Sequence, residues 1–152
     1  MGRKRRVYLD TSVISALFDK RNPDRKRITE QFFRRLEDFE VFISDITTGE
    51  ISRTHSNKLR TLMWDAVEHF EVLSVTDEIK LLGKAYIAHG AIPSEKPEDA
   101  YHIATAVMNE VEYLASWNFL HIVRMKTRAV VDCVNRCNNL GQINILTPGE
   151  LV

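Results

Sequence analysis

Val7-Tyr8-Leu9-Asp10-Thr11-Ser12 decides how the chain is read: a short apolar run ends on an acid, and residues that can cap a helix follow at once. The run predicts a buried strand. Thr11 or Ser12 can cap a helix that turns Ile14, Leu17 and Phe18 to one face. The same grammar repeats downstream. Asn22-Pro23-Asp24 breaks the first helix, and a second runs from about 24 to 36 with Ile28, Phe32 and Leu36 spaced in fours. Val41-Phe42-Ile43 is the next strand, after which Ser44 or Asp45 caps a short helix carrying Glu50. Val72-Leu73-Ser74-Val75, Tyr113-Leu114-Ala115 and Ile143-Asn144-Ile145-Leu146 read as three further strands.

Helices are predicted over 56–70, from Asp77 to about His89, from Pro97 onward, and over 124–140. Gly90 suits a left-handed cap at the end of one of them. The helix from Pro97 is the clearest, because Ala100, Ile103, Ala104, Val107, Met108 and Val111 recur at helical spacing. Strands separated by helices of this length imply parallel pairing with right-handed crossovers. The expected fold is α/β: a three-layer α/β/α sandwich around a central, mainly parallel sheet of about five strands, with one domain spanning residues 1–152. Ligands in such sheets sit beyond the carboxyl ends of the strands, which is where Asp10 and Asn118 fall.

At 152 residues the chain is long enough to bury a core. Lys plus Arg and Asp plus Glu both number 21, so no global field marks a nucleic-acid binder. Basic residues concentrate in Arg3-Lys4-Arg5-Arg6 and across 20–35, runs that either contact phosphates or form a solvated face. No stretch is apolar enough to span a membrane, and Val7-Tyr8-Leu9 is too short for a signal-peptide core, so the expectation is a cytoplasmic protein with no membrane partner. Cys133 and Cys137 lie four apart on a predicted helix. Without a second Cys/His pair at ligand spacing they read as buried filler, inward with Ala129, Val130 and Val134.

Four polar residues sit where chemistry is commonly placed, and each has an ordinary reading beside it. Asp10 is a natural helix N-cap, but Thr11 and Ser12 can cap as well and leave it free. Glu50 suits the early turns of a helix, and its neighbours Thr47, Thr48 and Gly49 leave room around it. Asp99 suits a first turn, in a helix kept slim by Ala100, Ala104, Thr105 and Ala106 so that its start can approach a sheet end. His102, three residues on, can lie beside Asp99 as a supporting or substrate-contacting residue, join a helix N-cap network or be solvated. Asn118 is a turn residue or cap if taken alone. Carboxylates so placed can converge on one divalent metal, which points to hydrolysis of a phosphodiester.

In order along the chain, these motifs resemble the PIN-domain ribonucleases, and within them the VapC-like toxins of toxin–antitoxin pairs. The resemblance covers nearly the whole chain. It is carried by Tyr8-Leu9-Asp10-Thr11-Ser12-Val13-Ile14, by Ser44 to Glu50, by Asp99-Ala100 with Ile103-Ala104-Thr105-Ala106, and by Leu114-Ala115-Ser116-Trp117-Asn118. Leu146-Thr147-Pro148-Gly149-Glu150 looks like the family's last strand and its exit. The resemblance implies that Asp10, Glu50 and Asp99 are metal-binding acids and that Asn118 completes the catalytic set. Ser12 falls on a small hydroxyl residue that supports the first acid. It further implies Mg²⁺ or Mn²⁺ as cofactor, an RNA substrate, a cognate antitoxin protein and a homodimer. Such an ion would activate water and offset charge in the transition state.

One departure matters. The fourth position often holds Asp in this family, and here Asn118 supplies an amide oxygen but no charge. His121 lies three residues on and either contributes or serves as a surface or capping residue. A PIN fold that grips RNA or protein with weakened catalysis is therefore the alternative. A nucleotide-binding or phosphotransferase reading has little support, because no strand is followed by a Gly-rich phosphate loop or a nucleophile elbow.

Overall fold

The computed structural model describes residues 2–152. Five parallel strands form one sheet in the order β3-β2-β1-β4-β5: β1 (Arg5–Leu9), β2 (Phe39–Ser44), β3 (Glu71–Leu73), β4 (Tyr113–Ala115) and β5 (Asn144–Leu146). Seven α-helices connect them: α1 (Thr11–Ala16), α2 (Pro23–Phe33), α3 (Asp45–Ser52), α4 (Asn57–Val67), α5 (Asp77–Ala88), α6 (Pro97–Met108) and α7 (Met125–Cys137). This is the α/β/α sandwich that the alternating pattern predicts.

Strand alternation divides the core. Tyr8, Phe42, Leu114 and Ile145 point to one face and pack with Ile79, Leu82 and Tyr86 of α5, Ile103 and Val107 of α6, and Val131 and Val134 of α7. Val7, Leu9, Ile43 and Ala115 point to the other and pack with Val13 and Ile14 of α1, Phe32 of α2, Ile51 of α3 and Met63 of α4. A strand residue and its neighbour face opposite ways, so one buried strand feeds both layers.

Several caps follow the expected chemistry. Ser44, Ser56 and Thr76 each accept from a backbone N–H in the first turn of the helix they open. Gly90 has φ of 84°, while Gly90 N bonds Ile87 O and Ala91 N bonds Tyr86 O, the paired bonds of a Schellman stop.

Other expectations are corrected. The helix after β1 is a single short segment, so Leu17 and Phe18 lie beyond its end, and its N-cap is Asp10 rather than Thr11 or Ser12. The third strand is Glu71–Leu73, displaced toward the N-terminus, because Val75 N instead donates to Asp45 Oδ2. Cys133 and Cys137 are exposed. Thr127, Val131, Val134 and Asn135 take the inward face of α7, since the helical period turns both cysteines away from it. The Arg3–Arg6 run begins at the amino end of β1, opposite Asp10. Arg6 there donates to the Asn109 and Glu110 carbonyls and lies over the Phe42 ring, a structural role far from any site at the carboxyl ends.

Gly83 sets how closely α5 meets α6, the helix that carries Asp99. A Cβ at this position would lie 2.5 Å from Tyr101 Cδ1 and 3.5 Å from the Ala100 backbone. Gly83→Ala gains helix propensity of about 1 kcal/mol, but overpacking costs more. A net destabilisation of about 1–2 kcal/mol is expected in urea unfolding, reduced when Tyr101→Leu is added. An unchanged midpoint would mean that Tyr101 swings aside freely.

Candidate active site

Strand order reverses beside β1: the chain adds β2 and β3 on one side and then crosses to place β4 and β5 on the other. A crevice forms outside the carboxyl ends of strands at such a reversal. Asp10 leaves β1 and Ser116 leaves β4 there, joined at the backbone by Asp10 N to Ala115 O. A cleft of about 410 Å³ opens over this point. It is lined by Asp10, Glu50, Asp99 and Asn118 together with Ser12, His102 and Trp117, by Asp19 and Asn22 from the segment joining α1 to α2, and by Arg25 from the first turn of α2. The fold thus brings the acids of three separate elements to one opening.

Asp10 is the most tightly held. It is 3% exposed. Ser12 Oγ donates to its Oδ1 at 2.5 Å and Ser116 Oγ donates to its Oδ2 at 2.6 Å. Each serine is fixed in turn by the backbone after β4: Trp117 N donates to Ser12 Oγ and Asn118 N to Ser116 Oγ, both at 2.9 Å. Although Asp10 occupies the N-cap position, its carboxylate makes no cap bond, which is how it remains available to the cleft. Burial pushes the Asp10 carboxyl up to about 6, the two serines pull against this, and the Asp99 charge adds to the rise. Burial also raises Glu50, reinforced by Asp99 and Glu98 and opposed by Thr11 and Arg53.

Asp99 has an imidazole partner. His121 Nδ1 lies 2.9 Å from Asp99 Oδ2, in a contact largely shielded from solvent. His102, expected near Asp99, turns instead to Tyr8, with Nδ1 2.6 Å from the phenol oxygen, and the same hydroxyl lies 2.8 Å from Ser44 Oγ. His102 is 3% exposed and reaches the cleft only as part of its wall. Burial lowers it to about 4 and raises the Tyr8 phenol, so both stay neutral at pH 7. Helical direction is the reason: Asp99 opens α6 at the cleft, whereas His102 lies a turn further along, on the buried face.

Asn118 lines the cleft, but its Oδ1 accepts from His121 N at 3.0 Å. The amide therefore closes the turn that carries His121, the capping role residues of this type favour. Thr127 Oγ1 donates to the His121 carbonyl and fixes the turn from its other end. Ser116, whose neighbours draw the eye in the sequence, is the residue that reasoning from motifs passes over. Its partnership with Asp10 spans 106 positions and has no local signal.

A family model for the PIN domain matches residues 7–116. The chain belongs to the PIN-domain family. No curated protein matches it. PIN domains are generally nucleases and generally use divalent metal ions. The match ends at Ser116, so the placement of Asn118 and His121 comes from the geometry alone. Among the described residues, no three His, Cys, Asp or Glu side chains stand close enough to enclose an ion by themselves. The donor chemistry nevertheless suits a hard cation: carboxylates that destabilise one another's charge face one open cleft, with room for the waters that Mg²⁺ commonly retains. Among the described residues, no helix is long and apolar enough to cross a membrane.

The two buried titrations oppose each other. Asp10 rises from an ordinary 3.8 to about 6, so the folded protein binds more protons and its stability falls as pH climbs through that window. His102 drops from 6.5 to about 4, so the folded protein binds fewer protons and its stability falls as pH descends through nearly the same window. Each contributes about 3 kcal/mol at about 1.4 kcal/mol per unit. In urea unfolding without metal, Asp10→Asn is expected to gain stability from pH 4 to 6.5, and His102→Gln to lose it. Parallel profiles for the two variants would overturn both assignments.

Proposed function

We propose that this protein is a divalent-metal-dependent endoribonuclease that hydrolyses RNA phosphodiester bonds at the Asp10, Glu50 and Asp99 cleft. The observation that carries the reading is the meeting of these three acids, from β1–α1, α3 and α6, in one opening at the point where strand order reverses. Asp10, Glu50 and Asp99 are the groups that would hold Mg²⁺ or Mn²⁺. A bound cation would supply charge neutralisation and water activation at the scissile phosphate.

The chain's own residues have separable tasks. Ser12 and Ser116 fix the orientation of the Asp10 carboxylate. His121 restrains Asp99 by holding one of its two oxygens. Asn118 holds the His121 turn, so its contribution is to position rather than to add charge. His102 is a wall residue that keeps the floor of the cleft neutral. A role as the toxin of a toxin–antitoxin pair, in the cytoplasm, as a homodimer and with a cognate antitoxin protein, extends this proposal and rests on the resemblance of the motifs. Inhibition of cleavage by a protein encoded beside it would support that extension.

With single-stranded RNA and Mn²⁺, the wild type is expected to cleave and excess EDTA to stop it. Asp99→Ala and Asp10→Ala should each lower the rate by at least about 100-fold, the scale of losing a group that stabilises transition-state charge. Equal cleavage by wild type and Asp99→Ala would sink the site. Asn118→Asp distinguishes the catalytically weakened alternative. It keeps an oxygen that can accept from His121 N and adds a charge, so a several-fold rise in rate would show that the natural site is limited by charge. An unchanged or lower rate would assign Asn118 to positioning alone.

A further inference from the structure

An acidic cleft on a chain with no net charge is a poor place to hold a polyanion by electrostatics alone. Asp10, Asp19, Glu50 and Asp99 all line the cleft, against a single cation, Arg25. The formal net charge is +0. Phosphate contacts normally supply most of the affinity for nucleic acid through neutralisation by Lys and Arg. A grip that is indifferent to charge is needed beside the acids, and an exposed aromatic group adjoins them.

Trp117, Asn118 and Phe119 continue directly from β4 past the cleft. The Arg25 guanidinium lies 5.5 Å from the Trp117 ring centroid and 5.2 Å from that of Phe119. The two rings meet edge to face at 6.2 Å. Trp117 is locked from beneath, its Nε1 donating to Thr29 Oγ1 at 2.9 Å, and is almost wholly buried. Phe119 rests on that fixed base yet stays 47% exposed, and it touches Trp117 and Arg25, which themselves line the opening. Among the described residues Arg25 makes no ion pair. Its guanidinium is held against the aromatic rings, with Asp19 near enough to feel its charge. An exposed aromatic with a stacked guanidinium is the arrangement that receives unpaired bases, because every base has a π-face.

We infer that Phe119 is a stacking platform for one unpaired base of the RNA strand, with Arg25 contacting the adjoining phosphate. The inference rests on the nuclease reading of the same cleft and assigns the residues that hold the strand beside it. A paired base cannot offer its face to Phe119 without leaving its helix. Phe119 acts on binding and register and is not a catalytic residue.

The test is binding of a labelled single-stranded RNA decamer to the full chain in EDTA, followed by fluorescence anisotropy. Phe119→Leu keeps bulk over Trp117 and should weaken binding about tenfold, the scale of one lost stack. Phe119→Tyr should restore it to within about twofold. The slope of affinity against salt should be unchanged in Phe119→Leu and reduced by about one in Arg25→Gln. Replacing each nucleotide in turn by an abasic residue should find one position that weakens the wild type about tenfold and Phe119→Leu no further. Equal RNA binding by Phe119→Leu and wild type would overturn the platform, as would a deficit that persists across every abasic strand. Lower self-association of Phe119→Leu in sedimentation with RNA binding intact would assign the patch to a protein contact and also overturn it. Cleavage by the wild type with Mn²⁺ is the separate readout. Cleavage with equal binding sinks the platform alone, whereas failure to bind or cleave RNA sinks both readings.

Discussion

Everything at the cleft depends on the Asp10 carboxylate being clasped by Ser12 and Ser116. These are not local caps. Ser12 belongs to the helix after β1 and Ser116 to the exit of β4, and each receives a backbone N–H from the segment that follows β4. One carboxylate therefore ties together two neighbouring strands at their open ends. It also sets where Trp117 and Asn118 start, and through them the His121 turn and the Phe119 rim. A fully buried acid left without partners would be costly. Here both oxygens are satisfied, and the group still lines the cleft.

The electrostatics of the site are held in tension. Burial and the neighbouring charge of Asp99 oppose ionisation of Asp10, while the serine hydroxyls favour it. Glu50 feels the same Asp99 charge. Arrangements that push acids against one another recur where function requires them. Beneath the acids lies a neutral layer, with the Tyr8 hydroxyl between His102 and Ser44. This layer adds no charge to the cleft and keeps the floor packed, so the acids confront one another and the opening rather than a fourth ionised group below.

Much of this was legible in the chain. Val7-Tyr8-Leu9 running into Asp10 announces a buried strand that ends on an acid, and repetition of that pattern yields the parallel sandwich. The Gly90 stop and the Ser44 cap are legible because capping is a contest among a few adjacent groups. The cysteines of α7 lie near enough to the apolar stripe for the sequence to place them inward, yet both are exposed. Only packing against α5 and the sheet decides which side turns inward. His102 meets Tyr8 rather than Asp99 for a related reason, since closeness in sequence does not give direction along a helix.

By itself the sequence determined the element order, the Ser44 cap, the Gly90 stop and the parallel layering, and it singled out the three acids that line the cleft, because each follows from residues within a turn or a strand of one another. Tertiary structure alone decided that Ser116 answers Asp10 across 106 positions, that His121 rather than His102 meets Asp99, and that Asn118 spends its amide oxygen on the turn beneath that histidine. It also decided that Arg25 lies over Trp117 and Phe119 at the rim. These pairings join chain segments that come together only when β4 seats itself beside β1. No local periodicity encodes a contact whose existence depends on that seating.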